Sequence, residues 1–262
     1  MRRLLTEPDG EEDLFSISEL FHENTKIYQL GKEKEIAFDE IYREVYSKPF
    51  KKYPAAKKVD LLKDFSDSYL PVEPAIRERR SIRDFSGGSL NLDQLSKILY
   101  FSYGITGSLK LGAESALYLR ATPSGGALYP LEVYPILFKV EGMEPGVYHH
   151  NIKENRLEFL KGGDFCQDVY KYCLGQDMVL SSSLVLAISA IFQRSKHKYG
   201  ERGYRYILLE AGHLAQNIYL ITMSLNLGCV TIGGFNDDAF NELLELDGVE
   251  ESTLYLAVIG VK

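Results

Sequence analysis

Apolar and polar positions along the chain alternate between stretches of helical period and short runs rich in branched residues. Over Tyr204–Asn226 the period predicts a long helix, with Gly228 as its stop. Its apolar stripe is Ile207, Leu208, Ala211, Leu214, Ala215, Ile218, Ile221, Thr222 and Leu225. Most of the remaining positions are uncharged, so the helix should be central. Glu210, His213, Asn217 and Ser224 form a narrow polar line on its other side. A second helix is predicted over Leu92–Tyr103, with Leu92, Leu95, Ile98, Leu99 and Ser102 on one face, Asn91 as cap and Gly104 as stop. Asn236 should cap a third, running to Leu246, with Asp237 and Asp238 at its positive end.

Val133–Val140, Leu184–Ile191 and Leu254–Val261 read as strands buried on both faces. Val147–His150 and Arg156–Leu160, joined by the polar residues 151–155, read as a hairpin. Tyr69–Pro74 reads as an extended connector, because each proline restricts its predecessor, and Ala75–Arg80 as a short helix after it. Residues 1–72 are polar and weakly periodic, with short helices expected at Ile17–Glu23 and Phe38–Tyr46. They have too little apolar content to fold alone, so they should pack on the domain formed by 73–262. The predicted class is α+β, a central sheet covered by helices.

Composition narrows the function. With 262 residues, 45% of them apolar, there is room for one large domain and an appendage. A net charge of −7 argues against nucleic acid as a partner. Against that balance Arg77, Arg79, Arg80 and Arg83 cluster, which suggests a specific anion site. Cys166, Cys173 and Cys229 are odd in number and show no CxxC spacing, so no disulfide framework or metal site is expected, and a reducing compartment fits best. The N-terminus has no apolar core of the signal-peptide kind, and no run is long enough to span a bilayer. A cytoplasmic protein without membrane contact is expected.

Three segments could carry chemistry. Arg79-Arg80-Ser81-Ile82-Arg83 offers guanidinium pairs and a hydroxyl to a phosphate; the competing reading is a solvated basic turn. Thr122-Pro-Ser-Gly-Gly-Ala-Leu-Tyr-Pro130 sets two glycines between prolines, a loop whose backbone can approach a ligand, or an ordinary turn. Thr231-Ile-Gly-Gly-Phe235 could turn free N–H groups toward a flat heteroaromatic ligand, although a Gly pair alone is weak evidence. No GxGxxG occurs, so a tightly held nicotinamide is not implied.

In order and spacing these segments resemble the nitroreductase superfamily of FMN enzymes, over roughly residues 75–262. The resemblance implies a mostly antiparallel sheet and a homodimer with FMN at its interface. It implies that Arg79, Arg80, Ser81 and Arg83 grip the flavin phosphate and ribityl chain. Pro123, Ser124, Gly125 and Gly126 would lie by the isoalloxazine ring, often from the other subunit, and Gly233 and Gly234 by flavin N5. Ser124 followed by Gly-Gly-Ala-Leu-Tyr-Pro, the run Lys198–Tyr206, Glu210-Ala-Gly-His213 and Gln216-Asn217 look like the SagB-type branch. That branch includes the oxidases that convert thiazolines and oxazolines of ribosomal peptides to azoles, and its catalytic Lys-Tyr pair maps onto Lys198 and Tyr199.

Aromatising an azoline removes a C–H proton and delivers a hydride to flavin, so a base must face the substrate. Lysine beside a flavin in a dry pocket binds its proton less tightly and can serve; Tyr199 could orient the ring or relay the proton. Otherwise Lys198 belongs to a solvated run, Arg194–Lys198. His149-His150 reads as surface rather than as a metal pair, and His213 as an internal histidine with Glu210 and Asn217 as neighbours. Cys229 reads as buried. The chain departs from the family where further cations usually follow the last strand: only Lys262 stands there, with Arg205 as a possible substitute. Peptide substrate and a cyclodehydratase complex are the implied partners. An NAD(P)H-dependent reductase of nitroaromatics or quinones, or a non-catalytic flavin-fold scaffold, are the alternatives.

Overall fold

The computed structural model describes residues 16–26, 50–65, 70–111 and 115–262. Described strands are β1 (Lys57–Asp60), β2 (Ile105–Leu111), β3 (Ser115–Arg120), β4 (Leu131–Leu137), β5 (Gly146–Asn151), β6 (Arg156–Gly162), β7 (Leu184–Ile191), β8 (Leu227–Ile232) and β9 (Glu251–Val261). Seven of them form one sheet in the order β1-β6-β5-β4-β7-β9-β8, and every neighbouring pair is antiparallel. β2 and β3 form a separate hairpin that leads into residues 121–130.

Period-two alternation splits the central strands between two cores. Leu131 and Val133 of β4, Leu184, Leu186 and Ile188 of β7, and Ala257 and Ile259 of β9 face one cluster. Tyr134, Ile136, Val185, Ala187, Leu256 and Val258 face the other. The first is covered by α3 (Leu92–Tyr103) and α7 (Arg202–Ser224), the second by α4 (Cys166–Tyr172), α5 (Met178–Ser181) and α8 (Asp237–Leu243). Two helices lie outside this covering, α1 (Ile17–Asn24) and α2 (Val72–Glu78), and α6 (Gln193–Tyr199) precedes α7. The α+β class and the antiparallel sheet agree with expectation. α3 spans the predicted residues, closed by a capping box between Asn91 and Gln94.

Several boundaries differ. The Tyr69–Pro74 connector is helical from Val72; Pro71 stands at the N-cap and Pro74 in the first turn, where a missing N–H costs nothing. α7 ends at Ser224 and turns at Asn226 (φ 56°), so Gly228 is not its stop but lies inside β8. α8 ends at Leu243, three residues early. β4 begins at Leu131 and ends at Leu137, and Leu208 of the predicted apolar stripe is 43% exposed. Phe38–Tyr46 lies outside the described residues.

Two glycines have a packing reason rather than a turn reason. A Cβ on Gly228 would meet the Phe85 ring at 2.7 Å and Ile82 at 2.9 Å, and one on Gly260 would meet Phe85 at 2.7 Å. Buried Phe85 thus seats the 79–83 segment on β8 and β9, helped by the Ile82 N–H to the Cys229 carbonyl at 2.9 Å. Gly260→Ala should therefore cost about 1–3 kcal/mol in urea unfolding by overpacking; a change below about 0.5 kcal/mol would show that the ring is not confined there.

Candidate active site

Arg79 and Arg80 follow α2 and share a cleft with Lys262 from the end of β9. The Arg79 guanidinium lies 4.9 Å over the Tyr219 ring. Arg80 folds back to the Arg77 and Arg79 carbonyls, and Arg83 is exposed outside the cleft. Among the described residues no carboxylate pairs with Arg79, Arg80, Arg83 or Lys262, while Glu78 pairs with Arg77. Unpaired cations converging on one cleft are suited to a phosphate. Lys262 thus joins the group. Arg205 does not; it contacts Thr25 and the His22 carbonyl.

A hydroxyl network ties this cleft to β8. The Ser81 and Tyr219 hydroxyls are 3.0 Å apart, Tyr219 accepts the Thr231 N–H at 3.0 Å, and Tyr255 donates to Thr231 Oγ1 at 2.7 Å. Gly233 and Gly234 follow directly. Both are exposed, and nothing lies within 4 Å of where a Gly234 Cβ would stand. Cationic cleft, hydroxyls and open glycine backbone form one anion-and-ring half-site, and these residues fit a phosphorylated flat cofactor.

The second half-site joins segments about 70 residues apart in the chain. Gly126 (φ 64°) lies against the Tyr199 hydroxyl and Lys198 Nζ, which would crowd any Cβ there. Gly125 lies against Tyr206, whose ring meets Tyr199 edge-on at 4.9 Å. Pro123 is exposed, and Ser124 Oγ accepts the Tyr129 N–H at 2.9 Å. Lys198 is exposed in the single chain, so the dry pocket expected around it is not formed by one copy.

Buried polar groups fix this geometry. Arg194, four residues before Lys198, donates from Nη1 to the Tyr129 carbonyl at 3.2 Å and to Glu132 at 2.6 Å. Glu132 also receives His149 Nε2 at 2.9 Å, and His149 Nδ1 meets Glu158 at 2.9 Å. A histidine between two carboxylates must donate from both nitrogens, so it is the imidazolium. Burial alone would lower its pKa, but the Glu132 and Glu158 hydrogen bonds outweigh burial and raise it. Burial opposes ionisation of Glu132 too, yet Arg194 and His149 hold it well below the usual carboxylate range. His150, buried and beside charged His149, is pushed down to about 3.

Expectations for the histidines and the basic run are corrected here. His149 and His150 are fully buried rather than on the surface. Arg194 is a buried ion-pair partner on α6, not part of a solvated run. His213 is exposed rather than internal, and its supposed neighbours serve the loop. Asn217 donates to Thr122 Oγ1 and to the Ser102 and Ala121 carbonyls; Glu210 takes the Tyr103 hydroxyl at 2.7 Å. Cys229 is buried as expected. Sequence reasoning missed Glu132, Arg194 and Tyr219: Glu132 and Tyr219 are single polar residues in apolar patterns, Arg194 is hidden in a basic run, and each has a partner distant in sequence.

The two half-sites lie on opposite sides of α7. Tyr219 is about 180° around the helix from Glu210 and about 200° from Asn217. Between those lines runs an exposed, uncharged strip of Leu208, Leu209, Gly212, His213 and Gln216. Along the axis Tyr219 is about 20 Å from Tyr206 but only about 3 Å from Asn217, so it is the opposite facing that parts the two halves. One copy therefore presents two separated halves.

The chain belongs to the nitroreductase family, whose model matches residues 76–261. It is 34% identical over 193 residues to a nitroreductase-named protein of Methanocaldococcus jannaschii, covering 74% of this chain and 92% of that one. The Microcin B17-processing protein McbC of Escherichia coli is 31% identical over 147 residues, 54% of either chain. Among solved structures, a nitroreductase-named protein of Anabaena variabilis superposes with a TM-score of 0.71 at 29% identity, over 93% of this chain and 46% of that one. The fold also recurs at 21% identity in the E. coli microcin synthetase McbBCD complex with its truncated precursor bound (TM-score 0.58, 94% of this chain, 92% of that chain). It recurs at 20% identity in an FMN complex from Desulfovibrio desulfuricans (TM-score 0.50, 73% and 86%). The chain thus spans nearly all of its archaeal relative and about half of McbC. Among the described residues no helix is long and apolar enough to cross a membrane, and no cluster of three metal-ligating side chains occurs.

Arg194→Met should destabilise the fold by up to about 3–5 kcal/mol, because it leaves buried Glu132 with His149 but without its guanidinium partner; urea unfolding reads this. The His149 contribution is complete below its unfolded pKa of about 6.5 and is lost as pH rises through the raised folded value. The stability gap between wild type and His149→Gln should accordingly be widest in mild acid and narrow in alkali. A gap that widens with rising pH would contradict the imidazolium.

Proposed function

For this member of the nitroreductase family we propose an FMN-dependent dehydrogenase that oxidises thiazoline or oxazoline rings of a ribosomal peptide, acting in the cytoplasm as a homodimer. On this reading residues 73–262 are the flavin-binding domain and 1–72 an extension. The observation that carries the proposal is the placement of Lys198 and Tyr199 against Gly126 of the Pro-Ser-Gly-Gly loop. Likeness to a microcin-processing protein supports the peptide substrate, and FMN in a structure of the same fold supports the cofactor.

Arg79, Arg80, Ser81 and Lys262 would hold the FMN phosphate and ribityl chain, with Gly233 and Gly234 along the ring edge and Arg83 outside that cleft. Bound FMN supplies the hydride acceptor at N5. Pro123, Ser124, Gly125 and Gly126 bound the substrate side, and Lys198 Nζ takes the ring C–H proton, with Tyr199 positioning the azoline. The placement of the half-sites on opposite faces of α7 supports the dimer, in which a ring resting on Gly233 and Gly234 would be met by Pro123–Gly126 of a second copy. The uncharged strip of α7 between them is the surface that copy would cover. A cyclodehydratase partner is supported by the complex in which the McbBCD fold relative occurs.

The archaeal relative's name favours a second reading, an NAD(P)H-dependent reductase of nitroaromatics or quinones. Anaerobic flavin spectra separate the two. The purified yellow protein should bleach with an azoline peptide, and Lys198→Ala should slow that bleaching by about 10²–10⁴-fold. Bleaching by NADPH with no response to the peptide establishes the reductase; failure to retain FMN leaves the scaffold. By light scattering the wild type should be dimeric, and Gly212→Arg should give monomers that lose FMN. A wild-type monomer that retains FMN would contradict the shared site.

A further inference from the structure

Glu210 has no part in the chemistry proposed above, yet it reaches the loop that does. It is 2% exposed on α7, and its Oε1 accepts the Tyr103 hydroxyl at 2.7 Å. The Ser124 hydroxyl is near enough to favour its ionised form. Since Ser124 Oγ accepts the Tyr129 N–H, the Ser124 proton is available to the carboxylate. Gly125 and Gly126 follow at once, against Tyr206, Tyr199 and Lys198.

The backbone beyond Ser124 needs such a hold. Gly126, Ala127 and Tyr129 have φ of 64°, 54° and 47°, the last two without glycine's freedom. Left-handed non-glycine residues cost about 1–3 kcal/mol each and persist only where surroundings enforce them.

We infer that Glu210 is a positioning residue: its carboxylate, gripping Ser124 and Tyr103 together, holds the Ser124–Tyr129 turn in the left-handed shape that sets Gly126 against Lys198 and Tyr199. Its functional consequence rests on the dehydrogenase reading; its structural consequence does not. The groups facing Glu210 are Tyr103 from α3, Arg120 from the end of β3, Ser124 from the turn and Arg194 from α6. Burial raises its pKa to about 7, against the pull of the Ser124 and Tyr103 hydrogen bonds. The neutral acid spends one oxygen as a donor, so it grips two hydroxyls less well than the carboxylate.

The test is hydrogen exchange on the FMN-loaded full chain, wild type against Glu210→Gln, with turnover measured beside it. At pH 8, Glu210→Gln should raise exchange of the amides in residues 122–131 roughly tenfold or more while β7 and β9 keep their rates. Turnover kcat should fall by a similar factor with KM little changed. The acid limb of the wild-type kcat profile near pH 7 should disappear in Glu210→Gln, and Glu210→Asp should recover part of the rate. Unchanged loop exchange, or a rise spread evenly over the sheet, would overturn the inference. Should Glu210→Gln fail to fold, Ser124→Ala cuts the same bond from the other side and must give the same local rise. A protein inactive toward azolines would remove the dehydrogenase reading and leave the exchange contrast to decide this one.

Discussion

The α-helical period of α7 is the constraint on which the rest of the structure depends. Its 23 residues are sorted by 3.6-residue repetition into four strips with different duties. Ile207, Ala211, Leu214, Ile218 and Ile221 enter the core over β4, β7 and β9. Tyr219 carries the anion half-site, and Glu210 and Asn217 carry the loop half-site. The exposed strip between those two lines carries Leu208, Leu209, Gly212, His213 and Gln216. Shifting the helix by one residue would rotate all four by about 100°, so fold and site share one register.

Around that axis the polar interior is arranged by charge. Arg194, Glu132, His149 and Glu158 alternate in sign from α6 across β4, β5 and β6, so that burying them strands no charge. At its Arg194 end this series also reaches the Tyr129 carbonyl, which ties the glycine turn to the helix that carries Lys198. Arg120 stacks on Tyr103 and Tyr129 at 4.6 and 4.7 Å and brings a second buried cation near Glu210. Ion pairs of this kind add little net stability against an apolar core, but they admit few alternative geometries.

What the sequence made legible follows from where the information lies. Asn91 with Gln94, the Leu184–Ile191 run and the stripe of α7 were readable because helix caps, branched runs and periods are local signals. β8 was missed because Gly228, read as a helix stop, is instead small so that Phe85 can pack on it. The hairpin β2–β3 and the edge strand β1 lack the apolar runs that mark buried strands. His149 looked like a surface residue because its partners stand at 132 and 158, and burial of a histidine is decided by such distant carboxylates. Motif spacing pointed to the three site segments, yet it gave no sign that α7 stands between them.

The central claim is that each complete site combines the anion half of one copy with the loop half of another. Co-expressing two inactive variants tests it: Arg79→Ala/Arg80→Ala on one differently tagged chain, Lys198→Ala/Gly126→Val on the other. If sites are shared, each mixed dimer rebuilds one intact site, and a random mixture should recover about a quarter of wild-type azoline oxidation per chain. If every site lies within a single copy, the purified mixed dimer will be as inactive as its parents, and the shared-site account fails.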